Sequence, residues 1–165
     1  VSCVFAGTHS VKAGMTVYGF QGFMTSEKGV SGIHNRYGLG GNLAYEYDIN
    51  DKWFAGLDVR CVTNWMKERK NLTDLSLLPR AGYRFELNDK FDAYAAAEYG
   101  LNFQYFEKDQ ALIMSFGIVG GARYAFAEKF KAFAEVENLY QFSKKDKTNY
   151  SNIKMNVNLG VEYQF

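Results

Sequence analysis

Apolar and polar residues alternate one by one over long stretches of the chain. From Ile153 to Phe165 every second residue is apolar, and the residues between them are Lys, Asn, Gly, Glu and Gln. Residues 53–65 and 91–105 alternate in the same way. A period of two is typical of β-strands that have one apolar and one polar face. No segment shows a convincing helical period of 3.6 residues, so the pattern predicts an all-β protein.

A second pattern recurs about four times along the chain. An aromatic-x-aromatic pair is followed by a short polar turn ending in Lys and then by another aromatic residue, at 45–54, 83–92 and 124–133, and residues 163–165 repeat the opening pair. Each repeat is long enough for two strands, which predicts eight strands. We expect them at 10–24, 36–48, 53–66, 74–87, 91–105, 111–126, 130–142 and 150–165. Short turns alternate with longer polar loops, as in an up-and-down barrel.

The apolar face carries aromatic residues near both ends of most strands, for example Trp53 and Trp65, or Phe91 and Tyr105. The interior of an eight-stranded barrel has room for little beyond its own small and polar side chains. We therefore expect the apolar face to point outwards, with the aromatic residues forming two girdles at the membrane interfaces. The predicted fold is an eight-stranded antiparallel up-and-down transmembrane β-barrel. The alternative is a soluble lipid-binding barrel with the two faces inverted.

The polar face then forms the lumen, and its charges balance. Formal net charge of the chain is +1, which gives no indication of nucleic-acid binding. The strand assignment predicts seven lumen cations and seven lumen anions: Lys12, Arg60, Arg80, Arg84, Arg123, Lys131 and Lys154, with Glu46, Asp58, Asp92, Glu98, Glu135, Glu137 and Glu162.

Buried charges require partners, so we interpret the lumen set as structural ion pairs that plug the barrel. The turn at 88–90 predicts that Arg80 lies opposite Glu98. By the same counting, Arg123 lies diagonal to Glu135, and closure of the barrel brings Lys12 towards Glu162. In strand one, Tyr18 and Phe20 break the alternation. A narrow porin-like channel is the alternative function.

The last strand contains a specific motif, polar-x-Gly-x-x-aromatic-x-Phe, formed by Asn158, Gly160, Tyr163 and Phe165. With this motif and the eight predicted strands, residues 10–165 resemble the small outer-membrane barrels of Gram-negative bacteria, the OmpX/opacity-protein superfamily. The resemblance implies an integral outer-membrane barrel whose final strand is read by the outer-membrane assembly machinery. It leaves the function open, since the superfamily includes adhesins, complement-evasion proteins and a few lipid A enzymes.

Lipid A enzymes of this size use a Ser/His pair with a carboxylate. The chain has two histidines, His9 and His34, and lacks the F-x-H-x-S motif of the deacylases and the N-terminal amphipathic helix of the acyltransferase. We predict that the protein is not an enzyme and needs no cofactor or metal ion. We also expect it to be a monomer.

The predicted outer loops are rich in lysine. Phosphates of lipopolysaccharide lie at their height, so we expect the loops to contact lipopolysaccharide or, alternatively, a host or surface protein. The basic patch consists of Lys67, Arg69, Lys70, Lys144, Lys145 and Lys147.

Residues 1–9 precede the predicted barrel domain of 10–165. The sequence Val4-Phe5-Ala6 has the form of a signal-peptidase site, which makes 1–6 the remnant of a secretion signal; the other reading is that they begin the first strand.

Overall fold

The computed structural model describes residues 8–25, 31–34, 37–65, 72–106, 109–145 and 148–165. All of the regular structure in these ranges is β-strand. The strands are β1 (His9–Thr25), β2 (Ser31–His34), β3 (Tyr37–Asp48), β4 (Trp53–Trp65), β5 (Leu72–Glu86), β6 (Phe91–Phe106), β7 (Asp109–Ala127), β8 (Phe130–Lys145) and β9 (Thr148–Gln164). Within these ranges no helix is long and apolar enough to span a membrane.

The strands form one closed antiparallel barrel. From β3 to β9 each strand pairs with the next along the chain, and β1 pairs with both β3 and β9. The short strand β2 pairs with residues 21–24 of β1, while β3 pairs with residues 9–18 of the same strand. Strands β2 and β3 therefore share one position in the wall, and the nine strands fill eight positions. This confirms the predicted eight-stranded antiparallel barrel.

Two of the short turns close by the same side-chain contact. The Oδ1 atom of Asn50 accepts hydrogen bonds from the backbone N–H groups of Lys52 and Trp53, at 2.9 and 2.8 Å. Asn88 does the same for Lys90 and Phe91, at 3.0 Å each. Asparagine is favoured in turns because its side chain can bond to the backbone two residues ahead. We call the end of the barrel with these turns the turn end, and the opposite end the loop end.

The strand limits differ in places from those predicted. β5 begins at Leu72 rather than at residue 74, and β8 continues to Lys145, inside the loop predicted at 143–149. Part of the first predicted outer loop is strand β2. The pairing of β1 with β9 shifts register between Tyr18 and Phe20, which is the mark of a β-bulge. This irregularity explains why the alternation of strand one breaks at these two residues.

The outer surface is apolar and the interior is polar. In β9, Leu159 is 52% exposed and Val161 is 45% exposed, whereas Asn158 is completely buried. At the turn end, aromatic rings from successive strands lie 4.7 to 5.1 Å apart in the pairs Trp53–Tyr83, Phe91–Tyr124 and Phe130–Tyr163. These rings form the predicted girdle on the outer surface at that end.

Candidate functional site: the barrel interior

The fourteen charged residues predicted for the lumen all belong to strands whose alternate residues face the interior. Twelve of them are buried, and Asp92 and Lys131 are partly exposed at the turn end. A buried charge needs an opposite charge and hydrogen bonds to offset its lost hydration. The contacts of these residues therefore decide what the interior can do.

A cluster of five side chains crosses the lumen in the half nearer the turn end. The carboxylate of Glu46 lies 2.5 Å from the Arg80 guanidinium and 2.9 Å from the Lys12 ammonium. The same two cations approach Glu135, at 3.3 and 3.2 Å. The Tyr94 hydroxyl donates a hydrogen bond to Glu135 and accepts one from Lys12 at 3.2 Å. We call Lys12, Glu46, Arg80, Tyr94 and Glu135 the central cluster.

A second group of ion pairs lies between the central cluster and the turns. Arg123 contacts Asp92 at 2.6 Å and Glu162 at 3.1 Å. Lys131 also reaches Asp92, at 3.4 Å. Arg84 links the group to the centre, because it pairs with Asp48 and lies 3.1 Å from Glu46.

A third group of ion pairs, around Arg60, adjoins the central cluster on the side nearer the loop end. This guanidinium pairs with Glu137, on the far side of the lumen, and with Asp58 at 3.2 Å. The amide of Asn156 donates a hydrogen bond to Glu137. Arg80 joins the two groups, since it lies 3.7 Å from Asp58.

The half of the interior nearer the loop end is built mainly from neutral side chains. Ser76 donates to Asn102 at 2.5 Å, Asn102 donates to Ser115, and Gln141 donates to Ser115 at 3.3 Å. Asn152 completes the series by donating to Gln141 at 2.9 Å. We call these five residues the neutral ladder. An ion pair between Lys154 and Asp74, at 2.5 Å, lies in the same half.

Three aromatic side chains occupy the lumen beside the charges. Phe54, Tyr94 and Phe133 are all buried. The Arg84 guanidinium lies 4.7 Å from the Phe54 ring centre, and the Lys12 ammonium lies 4.4 Å from that of Tyr94. A cation over the face of an aromatic ring is attracted by the negative charge of that face, so these contacts offset part of the hydration that Arg84 and Lys12 lose.

The predicted charge pairs can be compared with these contacts. Arg80 lies opposite Glu98 in the register of β5 and β6, with 3.5 Å between the charged groups. Lys12 lies opposite Glu162, at 3.9 Å. Arg123 is diagonal to Glu135 by register, but its ion-pair partners among the described residues are Asp92, Glu162 and Glu46.

Three interior residues have contacts that the sequence pattern does not predict. Asp74 is completely buried but is absent from the predicted lumen set, because it is the first residue of the predicted strand 74–87. Its alternation with Ser76 and Arg80 would have revealed it. Asp48, the last residue of the predicted strand 36–48, is also absent from that set, although it pairs with Arg84. Tyr94 lies on the polar face of the alternating stretch 91–105, but nothing in the pattern indicates that it bonds to Glu135.

The four residues of the predicted assembly signal lie on β9 and at its end. Asn158 is buried, and an added Cβ on Gly160 would lie 2.2 Å from the carbonyl oxygen of Ala13, so the close approach to β1 requires glycine. Tyr163 and Phe165 pack edge to face with 5.1 Å between ring centres. The backbone N–H of Phe165 donates to the carbonyl of His9 at 2.9 Å.

The remaining predicted residues lie elsewhere. His9 shares a hydrogen bond with the Tyr45 hydroxyl at the turn end, and His34 belongs to β2. In the described ranges no group of three or more side chains could hold a metal ion. Lys67, Arg69, Lys70 and Lys147 of the basic patch lie outside the described residues, as do the side chains of Lys144 and Lys145.

Comparison with known proteins gives the same picture of the fold. Residues 4–165 match the family described as outer membrane protein beta-barrel domain. Neisserial surface protein A is similar with a TM-score of 0.64 and 17% identity, over 95% of this chain and 97% of that chain. OprG of Pseudomonas aeruginosa gives 0.63 and 14%, over 97% and 96%. Ail of Yersinia pestis, in complex with the heparin analogue sucrose octasulfate, gives 0.50 and 17%, over 96% and 99%. No curated protein matches the chain.

Proposed function

Because the chain belongs to the outer-membrane protein β-barrel family, we propose that it is a non-catalytic scaffold of the bacterial outer membrane, with a plugged lumen and with basic outer loops that contact lipopolysaccharide. The localisation follows from the family and from the apolar, girdled surface. In such barrels the short turns face the periplasm and the longer loops face outwards. The turn end is therefore the periplasmic end.

The network of ion pairs across the lumen is the main observation that supports a plugged lumen. Arg80 joins anions from four strands, since it lies within 4 Å of Glu46, Asp58, Glu98 and Glu135. A conducting path would have to separate these pairs, and removing one partner of a buried pair costs about 3–5 kcal/mol. The buried rings of Phe54, Tyr94 and Phe133 occupy the same half of the lumen, which supports the plug.

Planar-bilayer recordings test the plug. We expect little or no conductance from the reconstituted protein, under conditions in which a general porin, added as a positive control, gives its usual steps. A stable ohmic channel of nanosiemens size would overturn the plugged lumen and favour the narrow-channel alternative. The loop proposal would be unaffected, because it does not depend on the interior.

The loop contact rests on charge. The predicted outer loops contain eight Lys and Arg residues, six of which form the basic patch. Clustered cations beside the membrane attract anionic headgroups, each cation by about 1 kcal/mol. Ail, which shares the fold, has been crystallised with a sulfated ligand, so a barrel of this kind can present a site for polyanions.

A matched pair of variants tests the contact. Replacing Lys144, Lys145 and Lys147 by Gln should weaken binding of lipopolysaccharide to the reconstituted protein, and the remaining binding should depend less on salt. The control replaces Lys52, Lys90 and Lys129, three turn lysines at the opposite end, and should leave the affinity unchanged. Equal affinities in the two variants would contradict the proposal and leave a surface protein as the alternative partner.

Two further parts of the proposal concern assembly and catalysis. The final strand, with Tyr163 and Phe165, would be read by the assembly machinery, and the folded protein would be a monomer. Phe165→Ala should reduce the amount of protein that reaches the outer membrane in cells.

Lipid A extracted from cells with and without the protein should have the same mass. A mass change that His34→Ala abolishes would make the protein an enzyme.

A further inference from the structure

The lipid-facing surface contains an apolar groove of about 600 Å³ that none of the functions above uses. Its lining includes Trp53, Tyr83, Ala95, Ala97, Gly120 and Asn138. Apart from Asn138 these side chains are apolar or small. On the neighbouring row of the same strands, towards the loop end, the surface presents large residues, Tyr99 of β6 and Phe116 of β7, both 52% exposed.

The groove exists because small residues coincide on neighbouring strands. Ala81 of β5 pairs with Ala97 of β6, and Ala95 of β6 pairs with Gly120 of β7. Each pair leaves a depression in the outer surface beside the larger side chains of Tyr83 and Ile118. Alternation requires an apolar residue at these positions, but it does not require a small one.

Gly120 differs from the other glycines on its strand. A Cβ added to Gly117 would lie 2.6 Å from the Leu139 side chain, and one added to Gly121 would lie 2.4 Å from the Tyr94 ring. A Cβ added to Gly120 would meet no atom within 4 Å. Packing therefore explains the glycines at 117 and 121, whereas at 120 the protein has room for a side chain and leaves the groove open.

The course of the groove matches one leaflet of the membrane. It begins at Trp53, the first residue of β4 at the turn end, and crosses to Asn138, in the middle of β8. The distance across these five strands is about 19 Å at the usual spacing of about 4.8 Å. Since the strands tilt by about 35–45°, the groove climbs from the periplasmic girdle towards the middle of the bilayer. Half of the hydrocarbon core is about 15 Å thick.

We propose that this groove is a binding site for one acyl chain of a glycerophospholipid from the periplasmic leaflet. The groove is continuous with the membrane-facing surface, so its surroundings are hydrocarbon. Trp53 and Tyr83 lie at its lower end, at the height where aromatic residues meet lipid headgroups. The amide of Asn138 ends the apolar lining at the upper end. A flexible acyl chain can follow the groove between the larger side chains of Tyr83 and Ile118.

The site can be tested by filling it. Native mass spectrometry of protein extracted in a mild detergent should detect one retained glycerophospholipid on the wild type. Gly120→Leu and Ala97→Leu should lose it, because the new side chain occupies the groove. Ala134→Leu is the matched control, since Ala134 is also small and exposed to lipid but does not line the groove, and it should retain the lipid. The mobility shift between folded and heated protein on a gel verifies that each variant folds.

Four results would overturn the site. They are a wild type without retained phospholipid, a Gly120→Leu protein that retains it like the wild type, lipopolysaccharide as the retained lipid, and a dimer that Gly120→Leu dissociates.

A second measurement uses Trp53 in a Trp65→Phe background, with phospholipids brominated on the acyl chain. Quenching of Trp53 should fall in Gly120→Leu and stay constant in Ala134→Leu; equal quenching in all three proteins would also contradict the proposal.

Discussion

The two halves of the barrel interior hold their side chains together in different ways. In the periplasmic half, the central cluster joins strands that are not neighbours, as when Arg80 of β5 meets Glu46 of β3 or Lys12 of β1 meets Glu135 of β8. In the outer half, each hydrogen bond of the neutral ladder joins neighbouring strands. The periplasmic half is connected across the lumen, and the outer half is connected mainly along the wall, apart from the ion pair between Lys154 of β9 and Asp74 of β5.

This difference indicates a division of tasks. Ions attract over several ångströms in a poorly hydrated interior, so one cation can serve several carboxylates at once. Neutral groups gain from direct contact alone, so each depends on its immediate neighbour. We therefore expect changes in the central cluster to be costly and strongly coupled, and changes in the neutral ladder to be small and local.

The largest effect should come from Arg80→Met. The substitution leaves Glu46 and Glu135 short of a cation in the lumen, and we expect the free energy of unfolding to fall by about 3–5 kcal/mol. Urea unfolding of the protein in lipid vesicles measures it. Adding Glu46→Gln to the variant should restore part of the loss. A loss below about 1 kcal/mol, the size typical of an exposed pair, would mean that water solvates the cluster.

Tyr94→Phe should have a smaller effect. It removes the hydroxyl that donates to Glu135 and accepts from Lys12, and a hydrogen bond to a charged group contributes about 1.5–3 kcal/mol. Tyr99→Phe is the control, because Tyr99 is on the same strand but faces lipid. The same unfolding assay applies, and equal losses in the two variants would show that Tyr94 acts by its ring and not by its hydroxyl.

Asn102→Ala, in the neutral ladder, should cost less again. Of its two partners, the Ser76 hydroxyl can rotate its proton towards another acceptor, and the Ser115 hydroxyl still accepts a hydrogen bond from Gln141. We expect a loss of about 1 kcal/mol, the usual net contribution of a neutral hydrogen bond. A loss as large as that of Arg80→Met in urea unfolding would abolish the distinction between the two halves.

The smallest expected value is the interaction energy between two residues of the neutral ladder. Ser76→Ala and Asn152→Ala alter opposite ends of the neutral ladder and share no hydrogen-bond partner, so their effects should add within about 0.5 kcal/mol. Lys12→Met and Arg80→Met share Glu46 and Glu135, and should deviate from additivity by about 0.5–3 kcal/mol. Double-mutant cycles measure both values. Coupling of equal size in the two halves would show that the interior is one network.

The alternation of residues predicted the barrel, its two faces and the burial of charged side chains such as Lys12 and Glu137. It worked because a strand has a period of two and each face meets one environment. Strand limits were less accurate, and Asp74 is absent from the predicted lumen set for that reason. The β-bulge between Tyr18 and Phe20 also escaped prediction, since one extra residue shifts the register without a clear signal in the sequence.

Counting residues from a turn was enough to place Arg80 opposite Glu98, because the register of a hairpin follows from its turn. The amino-acid sequence by itself thus determined the strands, the polarity of their faces and the pairs between neighbours. The tertiary structure alone decided that Arg80 reaches Glu46, that Tyr94 bonds to Glu135 and that small residues at 97 and 120 form one groove. These contacts depend on the curvature and closure of the barrel, which bring together side chains from strands far apart in sequence.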